Sequence, residues 1–527
     1  MKARCSIVFA ALLQLGLFSF ACAEEADSVS QYGITWKFDK LCPVGKFITG
    51  DYWVVGPVTV VSVTPSPGSA PATEPATEAK SLYGAAGLRD DRRMRNGSMI
   101  VRGPANDGQT GFSKEGYDSR VINYDPALSV PFPCKLDPND SLISTISSEN
   151  YVEGKLVTPC VVGQAFYLSK SGRKAPLTAP TSPFALESAA VLTCLAKAPP
   201  ADAFRPPYAG KEKPIYQAKD LQWSLLPKLK PVPAMPDFEQ MARIFERPWL
   251  DHMDAWTIQF MAPGLNQPNY GREFARMTSY GALMLLLDVP QEKKQALMYG
   301  YVQLGIDLSG VAKCGRQWFG DGGHWQGRKW PILFASIMLD RPEIREFPLV
   351  SMSAKVYGGT GITPTENGPQ PTTIFQEDLD TYFGNGGDGQ TALWQAGCHT
   401  GPREPFEEKP KKDWDKTANW LFAYHAINAQ SSAGNALAAL LMKAKAIWNH
   451  DAFFEMEDYW MGAKNTIYER PKWIPEGAPR TTDPFFDEMW SAYRKDVPRQ
   501  RGGKDNLKWV WNQDKRGGHF VQNPPEK

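Results

Sequence analysis

The stretch Tyr52-Trp53-Val54-Val55-Gly56-Pro57-Val58-Thr59-Val60-Val61-Ser62-Val63 consists of two β-rich runs broken by a Gly-Pro pair. Aromatic and β-branched residues suit a pleated, half-buried surface, and Gly-Pro interrupts any regular element. Upstream, Ile34-Thr35-Trp36-Lys37-Phe38 alternates apolar and polar residues with period two, the pattern of a half-buried strand. Downstream come short runs at Ser98–Val101, Ser141–Ile146, Lys155–Val162 and Ala189–Leu195. Turn residues separate them: Asn96-Gly97, Pro131, Pro133 and Asp137-Pro138-Asn139-Asp140. This pattern predicts an antiparallel β-sandwich over residues 24–198. Residues 64–80, rich in Pro, Ala and Thr, read as a flexible loop within it.

A Pro-rich stretch at 199–236 reads as a linker, and from Asp237 the period changes. Phe274, Met277, Gly281 and Met284 recur at helical spacing, as do Leu297, Tyr301, Leu304 and Leu308, and then Leu437, Leu441, Ala444 and Trp448. Gly-rich loops lie between them, chiefly at 315–324 and 357–389. Helical hairpins joined by long loops predict an α/α toroid-like domain over 237–470, with 471–527 as a C-terminal extension. The predicted fold class is therefore multidomain, with a β-sandwich followed by an α/α toroid.

The N-terminus reads as an export signal covering residues 1–23. Lys2 and Arg4 precede an apolar run from Ser6 to Phe20, and Ala21-Cys22-Ala23 has the small-x-small pattern of a cleavage site. Lipidation at Cys22 fits less well, because Ser19 stands where a large aliphatic residue is expected. A secreted or periplasmic location follows, with an outer-membrane lipoprotein as the weaker alternative. No later stretch holds the ~18 uninterrupted apolar residues of a membrane span. Lys plus Arg number 58 and Asp plus Glu 57, so no net field draws nucleic acid. An acidic partner must be met by local cations. Removing the signal leaves Cys42, Cys134, Cys160, Cys194, Cys314 and Cys398. One or two disulfides among the first four suit an exported chain, and no pair has metal-ligand spacing.

Chemistry-bearing residues crowd into the second half. Of six His, five lie between 252 and 450: His252, His324, His399, His425 and His450. The densest cluster is Phe319-Gly320-Asp321-Gly322-Gly323-His324-Trp325-Gln326-Gly327-Arg328-Lys329. Its glycines permit close approach of a ligand to backbone, at the mouth of a helix expected to begin near Arg328. Arg328 and Lys329 would bind a carboxylate and Trp325 would stack on a sugar ring. The plainer alternative is a helix-entry loop held together by the same polar residues. Asn269-Tyr270-Gly271-Arg272 opens an earlier helix and offers a hydrogen-bond donor, an acid or base and a cation. Capping and core packing explain the same residues equally well. At Trp448-Asn449-His450-Asp451, helix-end electrostatics is the favoured explanation. His425, on a helix, and His252, in His252-x-Asp254, read as core residues. Gly384–Gly389 lacks the acidic series of a calcium loop. Asn96-Gly97-Ser98 is a glycosylation sequon, relevant only in a eukaryotic host. Nucleophile elbow, zinc-protease and phosphate-loop motifs are absent from the sequence.

The strings GGHWQGRKWPILFA, NYGREFA and LMKAKAIWNHDAFFEMEDYWM resemble those of secreted polysaccharide lyases with an α/α toroid, of the alginate lyase and heparinase II/III-like type. The resemblance spans roughly 237–465, and the GDYWVVGPVTVVSVTP half is similar to the β module such proteins carry. It implies β-elimination beside a uronate of an anionic polysaccharide, with no cofactor. Tyr270 and His324 match the acid and base in kind, and Asn269, Arg272 and Arg328 match the groups that neutralise the carboxylate. No Asn stands beside His324, where some of these lyases have one. Two alternatives are a toroid glycoside hydrolase, for which Asp321 and Asp388 are the tempting carboxylates, and a non-catalytic carbohydrate-binding envelope protein.

Overall fold

The computed structural model describes residues 23–68, 93–103, 114–121, 123–148, 185–253, 271–316, 325–347, 419–462 and 483–498. It also describes shorter stretches at 263–264, 267, 318, 353–354, 362–363, 373, 375–379, 381–384, 391–394, 507–512 and 517–522. The chain is a mixed α/β protein, with a curled N-terminal β-sheet followed by helices. The expected export signal, the Lys155–Val162 run, and Cys160, Cys398 and His399 lie outside the described residues, as does most of the 64–80 loop.

Eight strands form one sheet: β1 Glu24–Gln31, β2 Ile34–Lys46, β3 Tyr52–Val55, β4 Val58–Thr64, β5 Ser98–Ile100, β6 Cys134–Leu136, β7 Ser141–Ser147 and β8 Leu186–Leu195. Their order is β5-β7-β8-β3-β2-β4-β6, with β1 also paired to β2. Every pair is antiparallel except β3 with β8, where Tyr52 lies opposite Leu192. The expected sandwich is thus replaced by a single sheet curled over its own core. Two strands intervene between β2 and β7 in the strand order, yet Trp36 on β2 donates Nε1–H to Ser144 Oγ on β7 at 2.9 Å. Only a strongly curled sheet brings those strands face to face. The curl closes around Trp36, Val44, Val54, Val60, Leu142 and Leu192, all fully buried. Continuity comes from β2, which carries register shifts against both β1 and β4. Bulged strands bend and twist more, so one long strand turns the corner that two separate sheets would otherwise span. At Gly45 a Cβ would lie 2.3 Å from the Trp53 ring, so that indole sits directly over the glycine on the neighbouring strand.

The helices are α1 Phe238–Ile244, α2 Gly271–Leu285, α3 Gln291–Lys313, α4 Lys329–Met338, the single turn α5 Gln376–Leu379, α6 Asn419–Leu441, α7 Lys445–Trp448, α8 Asp451–Gly462 and α9 Pro484–Tyr493. The period-3.6 stripes place α2 and α3 as expected, and Arg328 is the N-cap of α4. The third stripe is not one helix. Lys443 adopts φ 58°, and the helix is interrupted between Leu441 and Lys445. α2 packs against α6, and α3 against α4.

The Pro-rich stretch at 199–236 is not an open spacer. Phe204, Tyr208, Tyr216, Leu221 and Leu226 join the same apolar cluster as the helices. Within it, Arg205 ties the two halves of the protein together. Its guanidinium donates to Asp307 on α3 at 2.8 and 2.6 Å and to Asp51, after the β2–β3 turn, at 2.8 Å. The extension also packs back: Asp483, the N-cap of α9, accepts from Arg276 and Tyr280 of α2. Cys42, Cys134, Cys194 and Cys314 are free thiols, so no disulfide forms among the described cysteines.

Candidate functional site

The loop at 325–329 sits on the N-terminal half of α2. Gly327 has φ +88°, and a Cβ there would lie 2.3 Å from Cα of Ala275. Only glycine allows so close a backbone approach in that conformation. Beside it the Arg328 guanidinium lies 3.6 Å from the centre of the Phe274 ring. From Ala275 back to Gly271 is about one turn of helix, roughly 6 Å along the axis. Asn269 and Tyr270 immediately precede that helix start, and His324 immediately precedes Trp325. All three lie outside the described residues.

The described members of the predicted set are not arrayed for a substrate. Arg328 is 1% exposed and donates Nε to Asp251 Oδ2 at 3.0 Å and Nη2 to Oδ1 at 2.8 Å. Trp318 Nε1 donates to that same Asp251 carboxylate at 2.7 Å. Lys329 is buried and bonded to Asp378. Trp325 is 1% exposed, with the Arg316 guanidinium 4.4 Å from the centre of its ring. A buried charge must be matched locally, and these pairs do so. Arg328 and Lys329 therefore hold the loop, and Trp325 has no open face for a sugar. Arg272 is the most accessible of the four, its side chain 12% exposed and paired to Glu273 at 2.7 Å.

A short segment that the sequence reading passed over completes this floor. Gln376 Oε1 accepts from Trp325 N at 2.8 Å. Glu377 Oε1 accepts from Gly327 N and from Lys329 N, both at 3.3 Å. Asp378 takes Lys329 and the Trp448 indole N–H. Three consecutive polar side chains thus clamp the 325–329 loop and the start of α4. Burial, reinforced by neighbouring Asp378, pushes the Glu377 carboxyl up to about 7. The signal that could have found it is Gln376-Glu377-Asp378 itself, three polar residues directly after Phe375, with no apolar residue to fill the core.

On the other side of Asp251 stands His252, fully buried, its Nδ1 3.3 Å from the Tyr208 hydroxyl. Tyr117 and Tyr208 both meet its ring edge-on. Burial, with Arg316 adding to it, pushes this imidazole down to about 3, so it is neutral at physiological pH. His252 is a core residue, as expected. His450 is also buried, and its Nε2 lies 2.6 Å from Thr381 O.

Comparison of the chain with family models, with curated proteins and with solved structures finds no match in any of the three. The functional reading therefore rests on the residues. Strongly perturbed ionisable groups packed this densely are a feature of functional sites as well as of structural ion-pair networks. Here Glu377 lies against the 325–329 loop, where Gly327 meets Ala275 of α2. Among the described residues no group of three or more His, Cys, Asp or Glu has the arrangement of a metal site. No helix among them is long and apolar enough to cross a membrane.

Proposed function

We propose that the chain is an exported polysaccharide lyase that cleaves a uronate-containing polymer by β-elimination. Its helical part would be a toroid-like arrangement of hairpins, with the site at one end of α2. The observation that supports this reading is the approach of Gly327 to Ala275, residues that lie three and five positions along the chain from His324 and Tyr270. β-Elimination needs a base at the C5 proton, an acid at the departing C4 oxygen and neutralisation of the carboxylate as the enolate-like charge develops. Tyr270 and His324 would move the protons. Asn269 and Arg272 would neutralise the carboxylate. Arg328 and Lys329, each committed to an internal carboxylate, would act indirectly by holding the loop at a fixed height over α2.

The test is an ultraviolet assay of the mature protein against a panel of uronate polymers, with His324→Ala as the control. Rising absorbance from an unsaturated product, abolished in His324→Ala, is the expected result. New reducing ends without that absorbance would sink the lyase reading and favour hydrolysis. The carboxyl of Glu377, held protonated up to about 7, is the observation that keeps hydrolysis as the second reading. Inertness toward every polymer, combined with binding, would point to a carbohydrate-binding envelope protein.

A further inference from the structure

The Lys329–Asp378 contact beneath the 325–329 loop differs in kind from the arginine pairs around it. Lys329 opens α4, and Asp378 lies on α5, 49 residues along the chain. Lys329 Nζ is hydrogen-bonded to Asp378 Oδ2, and both side chains are buried. A guanidinium keeps its proton, whereas burial drives a lysine toward the neutral amine, which is a nucleophile. Lys329 is shifted in that direction: burial lowers it, and Asp378 opposes the change.

The surroundings are aromatic. Nζ lies 5.2 Å from the centre of the Trp448 ring and 5.7 Å from that of Phe375. Trp448 in turn stacks on Trp330 and on Phe453, with centroids at 6.3 and 4.5 Å. All four rings are buried. An ammonium and a carboxylate carry a desolvation cost in such a place, and moving the proton from the amine to the carboxyl removes both charges.

The polar groups around Asp378 are arranged for addition of the amine. A hydrogen-bonded amine stands within about 3.5 Å of the carboxyl carbon, the range of a near-attack contact. Trp448 Nε1 donates to Asp378 Oδ1 at 2.9 Å, on the oxygen that gains negative charge when nitrogen adds to Cγ. Glu377, the preceding residue, accepts from the backbone N–H of Lys329 through Oε1 at 3.3 Å. Its Oε2 is buried with no partner among the described residues. Burial, reinforced by Asp378, pushes the Glu377 carboxyl up to about 7, so it holds a proton to give.

We propose that Lys329 and Asp378 are joined by an intramolecular isopeptide bond, with Glu377 relaying the proton. Nζ of the neutral amine adds to Cγ of the protonated Asp378 carboxyl. The N–C bond forms, the Cγ–Oδ2 bond breaks, and Oδ2 leaves as water. Glu377 protonates the departing oxygen and takes the proton that the nitrogen sheds, so it ends as it began. The step needs neither oxidant nor reductant. Its product is an uncharged amide in place of a buried ion pair, tying the start of α4 to α5. The bond stands whether or not the chain is a lyase, because it is read by mass.

The experiment is intact-mass spectrometry of the folded mature protein, followed by peptide mapping. The parent is expected to weigh one water less than its sequence. A proteolytic digest should hold a branched peptide that joins residue 329 to residue 378. Lys329→Arg keeps the charge pair but has no nucleophilic amine, and it should return to full mass. Cyclisation of an N-terminal Glu also loses one water, so the branched peptide and Lys329→Arg together locate the loss. Glu377→Gln keeps an acceptor for the Lys329 N–H but has no proton to relay, and should leave most of the protein without the bond. A parent at full sequence mass would overturn the proposal, as would a deficit that Lys329→Arg retains. Complete bond formation in Glu377→Gln would overturn the part assigned to Glu377.

Discussion

Asp251 grips Arg328 with both carboxylate oxygens, at 3.0 and 2.8 Å, and each side chain of the pair is 1% exposed. A cation held this way is part of the scaffold. Removing one partner of a buried pair leaves an uncompensated charge and typically costs ~3–5 kcal/mol. Asp251→Ala is therefore expected to lower unfolding stability by that order, and also to free the Trp318 indole N–H. Replacing both partners, Asp251→Leu with Arg328→Met, should recover most of the loss. Urea unfolding of the parent and the two variants checks it. An Asp251→Ala protein as stable as the parent would return Arg328 to the pool of substrate-binding cations.

The close approach of Gly327 to Ala275 gives a sharper test of the site. A methyl at 327 meets α2 backbone at 2.3 Å, in a φ +88° conformation that L-residues rarely adopt. The conformation alone costs ~1–2 kcal/mol, and the contact with backbone cannot be relieved by a rotamer change. Gly327→Ala is expected to push the 325–329 loop off α2, lowering Tm by a few degrees and abolishing uronate cleavage. Ala275→Gly should restore little in the double variant, because the contacts at 2.3 and 2.8 Å are to the backbone Cα and N of residue 275. A Gly327→Ala protein with full activity would show that the two segments need not meet.

These two contacts show how far the sequence could be read. The strand at Ile34–Phe38 was legible from its alternation, and those at Tyr52–Val55, Val58–Val63 and Ser141–Ile146 from their β-rich composition between turn residues. What alternation does not encode is where a sheet turns, so β2, with its register shifts, converts the predicted sandwich into one curled sheet. The α2 and α3 stripes were legible for the same reason of periodicity. Leu437 to Trp448 kept the helical period across a helix interruption, because Lys443 has no sequence mark of its left-handed φ. At the 325–329 loop, crowding of Gly, Trp and Arg was visible in the sequence, but charge alone does not tell a ligand-facing cation from one paired to a distant carboxylate. Asp251 and Asp378 lie 77 and 49 residues away from their partners. Such pairings belong to tertiary structure and leave no local trace.

Two buried groups give opposite pH slopes. His252 falls to about 3 in the folded protein, against ~6.5 when unfolded, so its contribution is present above ~6.5 and lost as pH drops from there toward 3. Glu377 rises to about 7 from 4.5, so its contribution is full below 4.5 and lost as pH rises through 7. Each slope is of order 1.4 kcal/mol per pH unit within its window. Glu377→Gln should therefore gain on the parent between pH 5 and 8, and His252→Gln should flatten the parent's loss between pH 6 and 4. Unfolding free energies measured across pH 4–8 check both. A Glu377→Gln difference that is constant with pH would mean that Glu377 is ionised throughout, and the proton-holding role would fall with it.

The Arg205 junction offers a test of how the sheet and the helices are coupled. Asp307 supplies two of the three carboxylate bonds to the guanidinium and also accepts Tyr208 N–H at 3.2 Å, while Asp51 supplies one. Burial raises the Asp307 carboxyl and Arg205 opposes that rise, so the pair is held by geometry that neither charge tolerates losing. Asp307→Ala leaves a fully buried guanidinium with one anion and is expected to cost ~3–5 kcal/mol. Asp51→Ala should cost less, since Arg205 keeps its two-point contact with α3, although Gln31 and Thr49 also lose their acceptor. Because Asp51 follows the β2–β3 turn, its loss should chiefly loosen the sheet from α3. Hydrogen exchange would report this as faster opening of β3 with α3 protection retained, whereas Asp307→Ala should speed both. If the two variants exposed the same amides at the same rates, Arg205 would be serving each side separately and the junction would not couple them.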